Sequence, residues 1–377
     1  MQNPEVLDTP ATRLKGMELA DGWVVEELLA CGRASSDSSG GTFSVSYRVR
    51  KGNSVAFLKA LDLDSVIKDE GDDDFLGSIN RATRAFSDEK TLNELCAKSR
   101  MRQVVTILGH GDVKVDRKPE DHMPRVAYLI LELADGGDVR SHVARISSDD
   151  YAKKFSYLKD VLLGIGQLHN EGISHQDLKP SNVMVFSLAG AKIGDLGHAA
   201  VKGYGNSAFE QFSIAGDFSY APPEQLYGNV PTEWIDRRQR ADIYQFGSIV
   251  AFILLGMTVN TIIKELLPPA VGPKHWFPGE GGDSSYTQAL PYLEAAFLEG
   301  LQNCKVSLPF WAADKVVSLI NQCSHPDYSK RGAKQILGKG DQLGLGLNRF
   351  VSALENLRTE AKKQAILEAR RRKNHEL

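Results

Sequence analysis

Four polar residues at fixed offsets interrupt an apolar stretch in "ISHQDLKPSNVMVF" (173–186): His175, Asp177, Lys179 and Asn182. Asp, Pro, Ser and Asn all form turns readily, so a polar turn between two core elements would account for the composition alone. A second run close by, "KIGDLGHA", sets Asp195 before a glycine. Asp177, Asn182 and Asp195 then offer three oxygen-bearing side chains on two neighbouring turns. Magnesium takes carboxylate and amide oxygens and completes its shell with water and phosphate oxygens, so this trio suits a magnesium and phosphate site. Asp177, beside those ligands and followed by Lys179, is placed to accept a proton from an incoming hydroxyl.

Groups of this kind need rigid elements to hold them. From Trp23 to about Leu133 the texture is strand-like, in "WVVEELLAC", "TFSVSYRVR", "SVAFLKALDL", "VVTILGHGDVKV" and "RVAYLILEL". These runs are rich in β-branched and aromatic residues and are separated by Gly, Ser and Asp clusters. One helical pattern, "INRATRAFSDEKTLNELCAKS", interrupts them after the third run. Beyond Gly136–Gly137 long helical periods take over, beginning with "YAKKFSYLKDVLLGIGQLHNEG". The pattern divides the chain into a loose extension (1–20), a strand-rich unit (21–134), a helix-rich unit (135–340) and a tail helix (341–377). A strand-rich and a helix-rich lobe joined by the short "ELADGG" connector imply a cleft between them, where ligand pockets usually lie.

Composition narrows the class. A net charge of −3 gives no overall field for binding nucleic acid. The four cysteines, Cys31, Cys96, Cys304 and Cys323, are widely spaced with no CxxC pair, which reads as reduced thiols in a cytoplasmic protein. The polar start "MQNPEVLDTP" lacks the apolar core of a signal peptide. The most apolar run, "GSIVAFILLGMTV" (247–259), falls short of the roughly 20 residues that span a bilayer. A soluble protein off the membrane is expected. The acidic "DEGDDD" (69–74) reads as a solvated loop.

Taken together, "VAFLK" (55–59), "LILELADGGD", "HQDLKPSN", "IGDLG", "YAPPE" (220–224), "DIYQFG" (242–247) and "HPDYSKRGA" resemble, in order, the signature set of the protein kinase superfamily, and look most like its bacterial Ser/Thr members. The resemblance implies an α+β, bilobal fold: a small antiparallel β lobe with one helix over a larger, mainly helical lobe. It implies MgATP (with Mn2+ as an alternative metal) and a protein substrate as partners. Asp177 becomes the base or orienter of the acceptor hydroxyl, and Lys179 steadies the moving phosphoryl. Asn182 and Asp195 become the metal ligands, with Leu196 as an apolar plug. Lys59 becomes the contact to the α- and β-phosphates. Its anionic partner should come from the helix at 79–98, where Glu89 is the choice and Asp88, one position away, the alternative. Leu131 takes the gatekeeper place, the backbones of Glu132 and Ala134 bond the adenine, and Asp138 reaches the ribose. Ala56 above and Met184 below sandwich the base. Glu224 pairs with the distant Arg331, and Asp242 holds the catalytic loop through its backbone N–H groups.

The sequence departs from the family in three places. "GRASSDSSGGTFSVSY" is a poor glycine-rich loop: Gly41 aligns with the second glycine and Ser44 with the third, and the Ser-rich insertion reads either as an autophosphorylation site or as a plain hairpin tip. Gln176 replaces an arginine that in many relatives binds an activation-loop phosphate, which weakens that switch, although Ser207 and Ser213 remain candidate sites. Asp217 stands where a threonine usually bonds the catalytic pair, and should instead meet Lys179. The tail "LNRFVSALENLRTEAKKQAILEARRRKNHEL" is an amphipathic helix with a basic end, its Phe350, Leu354, Leu357 and Ala361 on one face. That face either packs on the large lobe or binds a partner or a second copy. Two other functions stay in view: a nucleotide-binding scaffold with little transfer, and a small-molecule kinase.

Overall fold

The computed structural model describes residues 7–31, 43–68, 75–204, 214–276, 284–333 and 345–375. Two lobes stand on either side of a cleft. The small lobe is built from strands β1 (Val24–Cys31), β2 (Ser44–Lys51) and β3 (Ser54–Leu61), a short helix α1 (Leu63–Ile67), a long helix α2 (Phe75–Lys98), and strands β4 (Ile107–Lys114) and β5 (Arg125–Glu132). The strands form one antiparallel sheet in the order β1-β2-β3-β5-β4. Successive side chains on a strand point to opposite faces. On β3 this buries Ala56, Leu58 and Ala60 with Tyr47, Tyr128 and Ile130 in one apolar cluster. The other set, Val55, Phe57 and Lys59, is thereby turned to the opposite face, toward α2 and the cleft.

Residues 7–20, expected to be a loose extension, are instead part of the small lobe. Ala11, Leu14 and Leu19 are buried in its cluster. The Tyr47 hydroxyl donates to the Ala11 carbonyl at 2.7 Å, and the backbone N–H groups of Gly16 and Val25 cross-link the strap to β1 at 2.8 and 2.9 Å. Its apolar residues follow neither a helical nor a strand period, so no pattern marks it; a buried tyrosine on another strand does the anchoring.

The large lobe follows in chain order: α3 (Val139–Val143), α4 (Tyr151–Asn170), β6 (Ile173–Ser174), β7 (Val183–Phe186), β8 (Gly190–Ile193), β9 (Ala200–Val201), α5 (Pro223–Leu226), α6 (Arg240–Leu255), α7 (Val259–Lys264), α8 (Tyr286–Lys305), α9 (Phe310–Cys323) and α10 (Leu347–His375). β7 and β8 form a hairpin, and β6 pairs with β9, so the turns carrying Asp177 and Asp195 both hang from short antiparallel pairs. Helix α4 is capped by Asp150, whose carboxylate accepts from the Lys153 N–H at 3.0 Å, and α6 stops at Gly256 with φ 78°. Nearly every residue of α6 is buried, as a helix apolar all round must be. Helix α10 lies along α4 and buries Phe350, Leu354, Leu357 and Ala361 in the large-lobe core, so of the two readings of that face the packed one holds. Among the described residues no helix is long and apolar enough to cross a membrane.

Candidate active site

The centre of the cleft is an ion cluster. Lys59 Nζ lies 3.0 and 2.9 Å from the two carboxylate oxygens of Glu89 and 3.0 Å from Asp195 Oδ1. Three elements meet there: Lys59 sits mid-β3, opposite Ser46 and Leu129 in the sheet register, Glu89 projects from the middle of α2, and Asp195 follows β8 in the left-handed region at φ 58°. A non-glycine residue at such an angle persists only where its surroundings hold it. Glu89 is thus the partner of Lys59, while Asp88 faces Arg84 on the outside of α2 at 3.8 Å.

The three groups shift one another. Burial alone would lower the Lys59 pKa, yet the Asp195 and Glu89 carboxylates outweigh it and raise it. Burial resists ionisation of Asp195 as well, but the Lys59 ammonium, helped by His198, holds its pKa well below the usual carboxylate range. Glu89 is raised, first by burial and then by repulsion from Asp195, against the pull of Lys59. One ammonium shared by two carboxylates leaves an acidic surplus, a setting that would welcome a further cation.

On the floor of the cleft the loop that carries Asp177 is knitted together. Asp177, only 3% exposed, accepts the Asp217 N–H on Oδ1 at 2.8 Å, and the Asn182 amide and Lys179 ammonium on Oδ2, both at 3.0 Å. The Asn182 nitrogen also donates to the Asp177 carbonyl at 2.9 Å, which leaves the amide oxygen as the atom available to a cation. Lys179 lies 3.8 Å from Asp217, the pairing foreseen for that substitution. Its pKa is raised because Asp177 outweighs the burial that opposes it. His175 ties the two turns together: Nε2 meets the Gly194 carbonyl at 2.9 Å, and Nδ1 accepts the Asp177 N–H at 3.2 Å.

Beneath the loop lies Asp242, 1% exposed. It accepts the N–H groups of His175 and Gln176 at 2.9 Å each, the Ser174 hydroxyl at 2.7 Å, and His169 Nε2 at 2.8 Å. Burial pushes its pKa up, and these donors, His169 foremost, more than reverse that. The bonds explain how Gln176 is held at φ 69°. Its side-chain oxygen accepts from the buried Arg238 at 2.7 Å, so a guanidinium from the turn before α6 borders the place where the loop itself lacks one. Glu224 and Arg331 form a two-pronged pair at 2.7 and 2.6 Å, both almost fully buried.

A cavity of about 420 Å³ runs from the connector to the ion cluster. Leu131, Glu132, Ala134, Asp138, Met184, Lys59, Glu89 and Asp195 all line it, as expected. Gly41 lies outside the described residues, and one expectation changes. Ala56 does not face the cavity: it is an odd number of residues from Lys59 on a strand, so it points into the sheet core at 0% exposure, and Phe57 lines the cavity instead. Asp138 lines the cavity but also caps α3, its carboxylate accepting from the Ser141 N–H at 2.8 Å and the Ser141 hydroxyl at 3.1 Å, which a ribose would have to share. The Glu132 N–H donates to the Thr106 carbonyl at 3.0 Å, so its carbonyl is the backbone group left for a ligand. The sequence reading also passed over His198, whose Nδ1 is 3.9 Å from Asp177 Oδ2. Its place three residues after Asp195 was the available signal.

Among the described residues no cluster of three His, Cys, Asp or Glu forms a self-sufficient metal cage. One carboxylate (Asp195) and one amide oxygen (Asn182) match instead the sparse protein ligation of magnesium, which keeps waters and takes phosphate oxygens.

The protein kinase domain model matches residues 79–339, well over half of the chain, and the chain belongs to that family. The matched stretch holds Glu89, Asp177, Asn182, Asp195, Glu224 and Arg331. It begins after Lys59. The chain is 26% identical over 210 residues to LysM domain receptor-like kinase 10 of Oryza sativa, covering 54% of this chain and 33% of that protein. It is 28% identical over 186 residues to serine/threonine-protein kinase RAD53 of Saccharomyces cerevisiae, covering 46% and 22%. It is 27% identical over 154 residues to serine/threonine-protein kinase PknB of Mycolicibacterium smegmatis, covering 41% and 23%. The matches thus span a third or less of the length of these curated relatives.

Proposed function

We propose that this protein is a serine/threonine protein kinase that transfers the γ-phosphoryl group of MgATP, or MnATP, to a protein hydroxyl. The carrying observation is the ion cluster of Lys59, Glu89 and Asp195, at 2.9–3.0 Å, on the wall of the cavity, with His175 tying the turn of Asp195 to the loop of Asp177, Lys179 and Asn182. In this reading Lys59 binds the α- and β-phosphates, Asp195 and Asn182 hold the metal, and the Glu132 and Ala134 backbones bind the adenine. Bound magnesium would neutralise charge on the phosphate oxygens. Asp177 would receive a hydrogen bond from the acceptor hydroxyl, aligning its oxygen with the phosphorus and taking up the proton as transfer proceeds. Lys179, already paired with Asp177, would sit beside the migrating group. Transfer of this kind needs positioning and charge neutralisation more than covalent chemistry.

A lysine two residues past the base, and relatives named as Ser/Thr kinases, favour serine or threonine as acceptor. An ATP-dependent reaction and described cysteines carried as thiols suit the cytoplasm. The test is transfer of radiolabelled phosphate from ATP to a generic basic protein with Mg2+ or Mn2+. Label on serine or threonine that falls at least about 1,000-fold in Asp177→Ala and in Asp195→Asn is expected, for the loss of the base or of the metal carboxylate. Binding of ATP with no transfer would favour the scaffold reading. Label absent from protein side chains but present on a small alcohol would favour the small-molecule reading.

A further inference from the structure

We infer that the outer face of the distal part of α10 is a docking surface for a second copy of this chain, which it holds by the acidic run that leads into α2. Helix α10 runs antiparallel to α4: Leu347 lies against Gly166, and Glu355 meets Lys159. Moving one residue back on α4 for each residue forward on α10 brings Tyr151, where α4 starts, opposite about residue 363. Past that point α10 continues to His375 beyond the start of α4. Two rows climb its outer side at four-residue spacing, Lys362–Ile366–Arg370 and Lys363–Leu367–Arg371, and all six residues are exposed. Ile366 is 55% and Leu367 37% exposed. At 3.6 residues per turn these rows turn away from the buried stripe of Phe350, Leu354, Leu357 and Ala361, whose continuation carries Glu368. One acid borders the rows, Glu360, 3.9 Å from Lys363.

Two apolar residues bracketed by four cations are complemented by apolar residues beside a dense run of acids. The chain carries that complement in "DEGDDDFL" (69–76), where five acids in six residues directly precede Phe75 and Leu76. Phe75 and Leu76 open α2 and are 43% and 76% exposed. The acidic run lies outside the described residues, and its charge is read from the sequence. Both apolar pairs are exposed within one chain, so they do not cover each other there; a second copy can cover them. A bilayer fits the α10 face less well, because a helix lying on lipid needs a broad apolar side with cations at its borders. The two surfaces differ, so the contact is heterologous and joins copies head to tail. Each solvated ion pair contributes a factor of only about 1.4 to 5 in binding, which makes the association weak and sensitive to salt.

The test is sedimentation of the full chain over about 10–500 µM. The average mass is expected to rise with concentration at about 50 mM salt and to fall back at about 500 mM. Neutralising the α10 rows (Lys362→Gln, Lys363→Gln, Arg370→Gln and Arg371→Gln together) should weaken association at least about fivefold, and so should Asp72→Asn, Asp73→Asn and Asp74→Asn together. Mixed, the two variants keep one intact half each. They should form a complex that stops at twice the mass of the chain, because neither end of the pair can be extended. Ile366→Ser with Leu367→Ser leaves every charge in place and should weaken association several-fold, which tests the same face should a neutralised variant fail to fold. Wild-type protein that stays monomeric over the whole range would overturn the inference. So would a mixture that stays monomeric although each variant keeps the wild-type melting curve, or self-association that neither neutralised face weakens. A monomer that binds phosphatidylserine vesicles through α10 would assign the face to lipid and overturn it as well. The readout is mass, so the outcome is independent of whether the protein transfers phosphate.

Discussion

The floor and the ceiling of the cleft are held by different physics. On the floor, each atom that would touch the reacting groups is tied to a second element: Asp177 to Lys179, Asn182 and the Asp217 amide, the loop backbone to Asp242, and Asp242 to His169 on α4. These groups are polar and buried, and each one left unpaired would cost about 1–3 kcal/mol. The ceiling is one face of a sheet. The cation it brings to the cavity, Lys59, is placed by strand register, and most of the described lining it adds is apolar shape. A hydrogen-bonded floor admits few substitutions, because each breaks several bonds at once. An apolar ceiling admits many, provided that volume and period are kept. The match to the family begins at residue 79, past the sheet strands that carry the ceiling.

Ranked by unfolding free energy, the largest effect should come from the point on which the floor depends most. Asp242→Asn replaces an acceptor of five hydrogen bonds with a group that must itself donate. Hydrogen bonds to a buried charge are worth about 1.5–3 kcal/mol each, and partial retention leaves an expected loss near 5 kcal/mol. Because the His175 and Gln176 amides define the loop, kcat should drop about 100-fold as well. Urea unfolding and steady-state transfer check both; a kcat within twofold of wild type would break the proposed division between the two surfaces. Arg331→Met comes next. It strands Glu224 in the core, and breaking such a pair costs about 3–5 kcal/mol. Replacing Glu224 with Leu in the same chain should recover most of that loss, whereas an additive double mutant would mean that the two residues do not act as a pair.

The uneven legibility of the sequence has the same cause. "HQDLKPSN" and "DIYQFG" were readable because floor chemistry requires those side-chain types at those offsets. The Glu224–Arg331 pair was readable although the residues lie far apart, because both ends sit in recognisable runs. Ala56 was misplaced because one position on a strand reverses the face, and a run of apolar residues gives no internal mark of which face is which. Lys59 supplied that mark: counting back by two from it leads to Phe57. The strap at 7–20 was missed for want of any period, since its order comes from Tyr47 and β1, which no local pattern announces. Arg238, in contact with Gln176, illustrates a third case, in which a substituted group meets a cation from a distant turn.

Behind the floor lies a brace that the ceiling lacks. Helix α10 packs along α4, the helix that carries His169 to Asp242. Leu354, 0% exposed in that seam, should cost about 2–5 kcal/mol when cut to Ala, through lost transfer energy and the cavity left behind. Transfer at saturating ATP should stay within about twofold, measured well below the shifted melting temperature. A large fall in kcat would extend the catalytic floor to the tail of the chain.

The smallest effect lies on the rim of the same seam. Glu355 receives Lys159 from α4 at 3.0 Å and Arg358 from its own helix, and these hydrogen bonds hold its pKa down to about 2. Its side chain is 38% exposed, so solvent screens the pair and its stabilisation should not exceed about 1 kcal/mol. The folded pKa lies below the unfolded value of about 4.3, so the charged form is the one that folding favours. The contribution is therefore full above about pH 4.3 and disappears as pH falls toward the folded value. In melting curves the gap between wild type and Glu355→Gln should be small at pH 7, shrink further on acidification between pH 4 and 3, and close with added salt. A gap that widened on acidification would show the carboxylate to be disfavoured in its charged form. The seam would then owe nothing to its rim, and the brace would rest on Leu354 and its apolar neighbours alone.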